Sequence, residues 1–162
     1  MLPLQDILPS RGRPRAVLML MAVLGSAWAG QSVVHPDTLA GLIEGLALSA
    51  DTAGPTRLVS SLFLTPGLVP TCANLGALWI FGDNVEDRLG SVRLLVLFAL
   101  GAIATAHIFI RIAPTPDTWF IGASGAVGAV VGAHLSLFPR MRVLVLTPFD
   151  FTLDAVEVPA GI

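Results

Sequence analysis

The sequence predicts an all-α membrane protein that crosses the bilayer four times. Three observations carry that prediction. The 162-residue chain is 54% hydrophobic and only 12% charged, where soluble domains run about 25% charged. Its mean hydropathy is +0.81. Its apolar residues gather into runs close to the roughly 20 that a helix needs to cross a hydrocarbon core about 30 Å thick. Helices are the expected spanning form because lipid cannot satisfy backbone amides.

The first run is 16–34, "AVLMLMAVLGSAWAGQSVV", behind the basic "RGRPR". A signal peptide is the alternative, since "SAWAG" resembles a small-residue cleavage site. The run exceeds the roughly 7–15 apolar residues of a signal core and further spans follow, so a retained first helix is expected. Residues 35–57 make a longer connection in which Leu39, Leu42, Leu46 and Leu48 alternate with Glu44 and Asp51. Those spacings fit a short interfacial helix or an irregular loop. The second run, Leu58–Phe81, is broken by Pro66, Gly67 and Pro70, which leaves a span at about 67–81. The third is 94–110, "LLVLFALGAIATAHIFI". "APTPDTW" is a tight turn, and the fourth span is 119–138, ended by Pro139. The tail, 140–162, is too broken to cross. The whole chain reads as one membrane domain.

Arginine placement orients it. With the N-terminus in the cytoplasm, Arg11, Arg13, Arg15, Arg88, Arg93, Arg140 and Arg142 fall inside, and only Arg57 and Arg111 outside. Connection 35–57 is then external, tail 140–162 cytoplasmic, and the start of the fourth span near the outer face. A net charge of −2 with no lysine gives no footing for nucleic acid. A single cysteine, Cys72, excludes an internal disulfide and any multi-cysteine metal site. No metal and no cofactor are expected. The partners expected are the lipid bilayer and other transmembrane helices or a larger membrane complex.

One stretch carries possible chemistry, "IGASGAVGAVVGAHLSLF" at 121–138. Ser124, Gly128 and Gly132 lie four apart and share a helix face, with Gly125, Ala129 and Ala133 beside them. Small residues let membrane helices approach closely, so spacing alone reads Ser124 as one member of a packing face formed with Gly125, Gly128, Ala129 and Gly132. A nucleophile needs more, a base within hydrogen-bond reach and donors aimed at an oxyanion. His134 is ten positions further along the helix, about 15 Å away at 1.5 Å per residue, and cannot serve. His35 is unconstrained. His107, near the outer end of the third span, matches Ser124 in depth and is the one candidate base. Asn74, in "PTCANLGALWIF", is a candidate oxyanion donor or an interhelical or capping amide.

Taken together, "NLGALWIFGDNVEDRLG" (74–90), "GASGAVGAVVGAH" (122–134) and "FPRMRV" (138–143) resemble the bacterial rhomboid family of intramembrane serine proteases. The resemblance extends to "LPLQDILPSRGRP" at the start. It implies that the four spans correspond to the first four of a six-helix core, with Ser124 as nucleophile. It further implies Asn74 as oxyanion donor, Gly122 as backbone near the oxyanion, and structural polar contacts for Glu86 and Arg88 in a cytoplasmic loop. The sequence departs from the pattern at Pro70, where the family has histidine, and at His134, where tyrosine is common. No residue matches the family's catalytic histidine, which lies on the last of two helices that follow "VEVPAGI" there. The chain therefore reads as a C-terminally truncated member. The expectation is a non-proteolytic accessory or scaffold subunit, a pseudoprotease packed against other transmembrane helices in the bacterial inner membrane. The alternative is an active serine endopeptidase, a hydrolase cleaving single-span substrates, with its last helices missing or supplied in trans. An unrelated membrane module, such as a transporter fragment, is the third reading.

Overall fold

A computed structural model of the chain describes residues 2–6, 14–113, 115, 118–139, 142–146 and 155–159. From Pro14 to Pro139 the body is helical. Helix α1 spans Arg15–Ser32, α2 Pro36–Leu46, α3 Pro55–Ser61, α4 Leu68–Ala77, α5 Asp83–Leu89, α6 Ser91–Ile112 and α7 Ser124–Leu137. A π-helical turn, Leu78–Gly82, joins α4 to α5 without a break in helical backbone. The cytoplasmic loop expected at 81–90 is thus a continuation of the second helix as far as Leu89. Gly90, at φ 85°, ends it.

Of the expected spans, α1 and α6 lie within a few residues of their predicted bounds. Among the described residues, α6 is the helix long and apolar enough to cross a membrane by itself, and α7 is a shorter apolar helix. The fourth element begins at Ser124, five residues later than Trp119. Phe120 is held in extended backbone by Leu48, whose N–H and carbonyl exchange hydrogen bonds with it at 3.2 and 2.7 Å. Gly122 then adopts φ +104°, a region that L side chains rarely enter.

Connection 35–57 contains helix α2 and the first residues of α3, so Pro36–Leu46 is helical and not an irregular loop. No residue of α2 is buried. Its last carbonyls are satisfied from α3: Arg57 donates to Glu44 and Ala47, and the Ser60 hydroxyl to Leu46 at 2.6 Å.

The core forms where α1, α4, the π turn, α6 and α7 meet, around Val17, Leu24, Leu78, Val85, Leu94, Phe98, Val127 and Val130. Helix α6 offers a stripe at Leu94, Phe98, Ala102 and Ala106, and α7 one at Ala126, Val130 and His134. These four-residue ridges permit close approach only with small neighbours. A Cβ on Gly125 would collide with the Thr105 side chain, and one on Gly101 with the Ala129 methyl.

The terminal segments pair in a small antiparallel sheet that the sequence reading did not foresee. Its strands are β1 Leu2–Asp6, β2 Arg142–Leu146 and β3 Ala155–Pro159, in the order β1-β2-β3. Val143 pairs with Val158 and Leu146 with Leu2. The tail beyond Pro139 thus has backbone structure of its own. Of the arginines used to orient the chain, Arg11, Arg13 and Arg140 lie outside the described residues.

Glu86 ties the bundle together at one end. Helix α1 has proline at its N-cap and no capping side chain of its own. The buried Glu86 carboxylate substitutes, accepting the N–H groups of Ala16 at 3.0 Å and Val17 at 2.9 Å. The Ser91 hydroxyl donates to the same carboxylate at 2.6 Å. An anion on the first turn of a helix satisfies orphan amides and complements the helix dipole. The structural role expected of Glu86 is present. Arg88 is exposed and makes no polar contact among the described residues.

Candidate functional site

Ser124 is the first residue of α7, and it is exposed. Its hydroxyl has no hydrogen-bond partner among the described residues. The first intrahelical bond of α7 runs from the Val127 N–H to the Ala123 carbonyl at 2.9 Å. The amides of Ser124, Gly125 and Ala126 therefore precede the helical ladder, like those of any first turn. Together the hydroxyl and these amides form a small donor-rich patch at the head of α7.

The turn before it is anchored. Gly122 donates its N–H to the Ser61 carbonyl at 2.8 Å. That amide is consumed, so what Gly122 supplies is its positive φ. A small cavity of about 20 Å³ opens here, lined by Thr65, Thr71, Asn74, Gly122 and Ala123 with apolar neighbours. Asn74 is half-buried on α4, and its amide makes no hydrogen bond among the described residues. The structure thus brings Asn74 and the turn carrying Ser124 to the same cavity.

Pro70 fits where it stands. It is the third residue of α4, where its missing N–H would have no intrahelical partner. The bond that opens the α4 ladder is Thr71 N–H to Gly67 carbonyl, at 3.3 Å.

None of the histidines is paired with Ser124. His107 is exposed, and its Nδ1 lies 2.9 Å from the Ile103 carbonyl of its own helix. Helix α6 turns Gly101 and Thr105 to α7. His107, two positions past Thr105, falls roughly 200° around the helix and faces away. Its depth matches Ser124 but its azimuth does not. His134 is fully buried at the other end of α7, stacked edge-on to Phe81 at 4.9 Å and tilted against Phe138 at 5.1 Å. His35 is exposed beside Asp37.

The expected packing face divides in two. Gly125 and Ala129 are closed against α6 of the same chain. Gly128 and Gly132 are exposed with nothing within 4 Å of a Cβ on either, on the same stripe as Ser124.

Sequence reasoning missed the clamp behind the cavity. Gln31, in the last turn of α1, donates from Nε2 to the Phe63 carbonyl at 2.7 Å and accepts the Thr65 N–H at 3.0 Å. Thr65 and Thr71 share a hydroxyl hydrogen bond of 2.7 Å. A lone glutamine at the end of an apolar run was the available signal, since an amide there needs partners.

Comparison with known proteins identifies the family. The family model described as "Rhomboid domain" matches residues 52–157. The chain is 25% identical over 129 residues to a protein of Haemophilus influenzae named Rhomboid protease GlpG. That match takes in 80% of this chain and 65% of the relative, so the chain spans about two thirds of the relative's length. A domain match over most of the chain, with Ser124 heading its glycine-rich helix and Asn74 at the same cavity, leads to one conclusion: the chain belongs to the rhomboid family of membrane proteins.

Proposed function

We propose that these residues form a four-span rhomboid-type unit of the bacterial inner membrane, N-terminus in the cytoplasm, that presents Ser124 without a proton acceptor. It acts as an accessory or scaffold subunit packed against another transmembrane helix. The observation that supports this is the environment of Ser124, an exposed hydroxyl with no imidazole beside it among the described residues. A serine hydroxyl is a weak nucleophile until a base takes its proton, and losing a catalytic base costs several orders of magnitude in rate. The adjoining Gly128 and Gly132 leave a backbone-deep face open on α7, where a neighbouring helix would pack. Labelling with a serine-reactive fluorophosphonate tests the reading. The chain of these 162 residues should remain unlabelled. Labelling that Ser124→Ala abolishes would defeat it.

A second reading is favoured by the donors around the same hydroxyl. The Ser124 amide lies outside the helical ladder and the Asn74 amide is unengaged among the described residues. In an active rhomboid-type endopeptidase an imidazole from a further helix would take the Ser124 Oγ proton as Oγ attacks the scissile carbonyl. Asn74 and the Ser124 amide would hold the oxyanion. The imidazolium would then protonate the departing amine, leaving an acyl-enzyme that water hydrolyses. Single-span membrane proteins are the substrate class. Labelling that appears only when a histidine-bearing helix is fused or co-expressed would decide for this reading.

A further inference from the structure

One side of α6 is out of keeping with lipid. The buried stripe of this helix is Leu94, Phe98, Ala102 and Ala106. His107 and Arg111 lie roughly 140° and 180° around the axis from Ala102, on the opposite side, and both are exposed. They are four positions apart and therefore neighbours on one face. Leu100 and Ala104, also exposed, continue that face along the helix with spacings of four and three. Such alternation is the seam along which one helix packs on another.

An ionisable side chain inside a span normally turns to its own bundle or to a partner rather than to lipid. His107 lies five residues short of Ile112, where α6 ends, about 7.5 Å along the axis. Its Nδ1 is 2.9 Å from the Ile103 carbonyl. A carbonyl only accepts, so Nδ1 carries the proton and the neutral ring keeps a lone pair on Nε2. Arg111, one turn further out, adds donors and makes no hydrogen bond or ion pair among the described residues. This face therefore holds an acceptor and a cation, with no acid on it.

A carboxylic acid answers both groups. Its O–H donates to Nε2, and its other oxygen accepts from the Arg111 guanidinium. A second copy of the chain would bring only the same two basic groups. A lipid phosphate stays at the bilayer surface, whereas His107 sits more than a turn inside the end of α6. We propose that the face formed by Leu100, Ala104, His107 and Arg111 docks a transmembrane helix of another protein, one that carries an Asp or Glu at the depth of His107. This interface is distinct from the opening at Gly128 and Gly132 on α7.

The test is energy transfer in phosphatidylcholine vesicles. The full chain is labelled at its single, exposed cysteine, Cys72. Its partner is a synthetic leucine–alanine transmembrane peptide with one Asp, placed about 7.5 Å from the peptide's end. The Asp peptide should bind about tenfold tighter than the same peptide with Leu in that place. His107→Leu should bring the two peptides within about twofold of each other, and Arg111→Gln should cut the preference about threefold. Gly128→Leu should leave the preference intact, which separates this interface from the α7 face. Both altered positions on α6 are exposed; should one variant fail to fold, the other decides alone. Equal binding of the two peptides would overturn the proposal, and so would an Asp preference that survives the α6 substitutions. Loss of the preference in phosphatidylglycerol vesicles would overturn it by assigning the face to an anionic lipid. Transfer between two labelled copies that His107→Leu abolishes would overturn it by assigning the face to a second copy.

Discussion

Glu86→Ala should unfold the bundle from the start of α1. The carboxylate holds two α1 amides at 3.0 and 2.9 Å and one hydroxyl at 2.6 Å. A hydrogen bond to a charged group contributes about 1.5–3 kcal/mol, and water admitted to the space left by the carboxylate recovers part of that. We expect a loss of about 3 kcal/mol for Glu86→Ala. Glu86→Gln keeps one carbonyl oxygen for one amide but turns its NH2 toward the other, and should cost about 2 kcal/mol. Ser91→Ala removes only a donor to the same carboxylate and should cost about 1 kcal/mol. Thermal unfolding in detergent, followed by circular dichroism, is the assay. At roughly 2–4 °C per kcal/mol for a chain of this size, Glu86→Ala should melt about 6–12 °C lower. The control is Arg88→Ala, two residues away and exposed. If Glu86→Ala melts within about 1 °C of that control, the long-range cap contributes nothing and the reasoning fails.

Gly125→Ala should cost about 1–3 kcal/mol, because its new methyl meets Thr105; the Thr105 Cβ is itself among the atoms met, so the double variant with Thr105→Ala should recover only part of the loss in the same melting assay. Gly128→Ala, with open space around it, should leave the melting temperature of the isolated chain within about 2 °C, since exposed substitutions stay within about 0.5 kcal/mol. If it melts as low as Gly125→Ala, the division of the α7 face is wrong. Gln31→Ala should free the segment 63–65, seen as faster hydrogen exchange at the Thr65 amide and a stability loss of about 1–2 kcal/mol; unchanged exchange there would refute the clamp.

How far the sequence was legible depended on the kind of information each feature needed. Long apolar runs report depth, so α1 and α6 were placed well. The start of α7 was placed five residues early because the partner that keeps Phe120 extended, Leu48, is 72 positions away. Depth alone also suggested His107 as a base. Azimuth excludes it, and azimuth depended on recognising that Gly101 and Thr105 were the α7-facing positions. The continuation of α4 through a π turn into α5 was read as a loop because the family resemblance implied one at "FGDNVEDRLG"; in the structure its end has a tertiary partner, since Glu86 accepts the Ala16 and Val17 amides of α1. The sheet had a visible signature in "RVLVL" and "AVEVP", whose alternation was passed over in favour of the apolar spans. At the site, Ser124 and Asn74 were legible through resemblance, and the cavity bordered by Asn74 and by Gly122 and Ala123 of the serine turn emerged only once Gln31 and Ser61 fixed the backbone around it.

The paired hydrogen bonds between Leu48 and Phe120 have a mechanical consequence. Ser124 lies four residues beyond Phe120, and Leu48 lies two residues past the end of α2, a helix with no buried residue. A pull or push on that outer helix, from membrane thinning or from a bound neighbour, would be passed by two short bonds to the serine turn. Whatever comes to the α7 opening would thus meet a hydroxyl whose position answers to the tension on an outer strap.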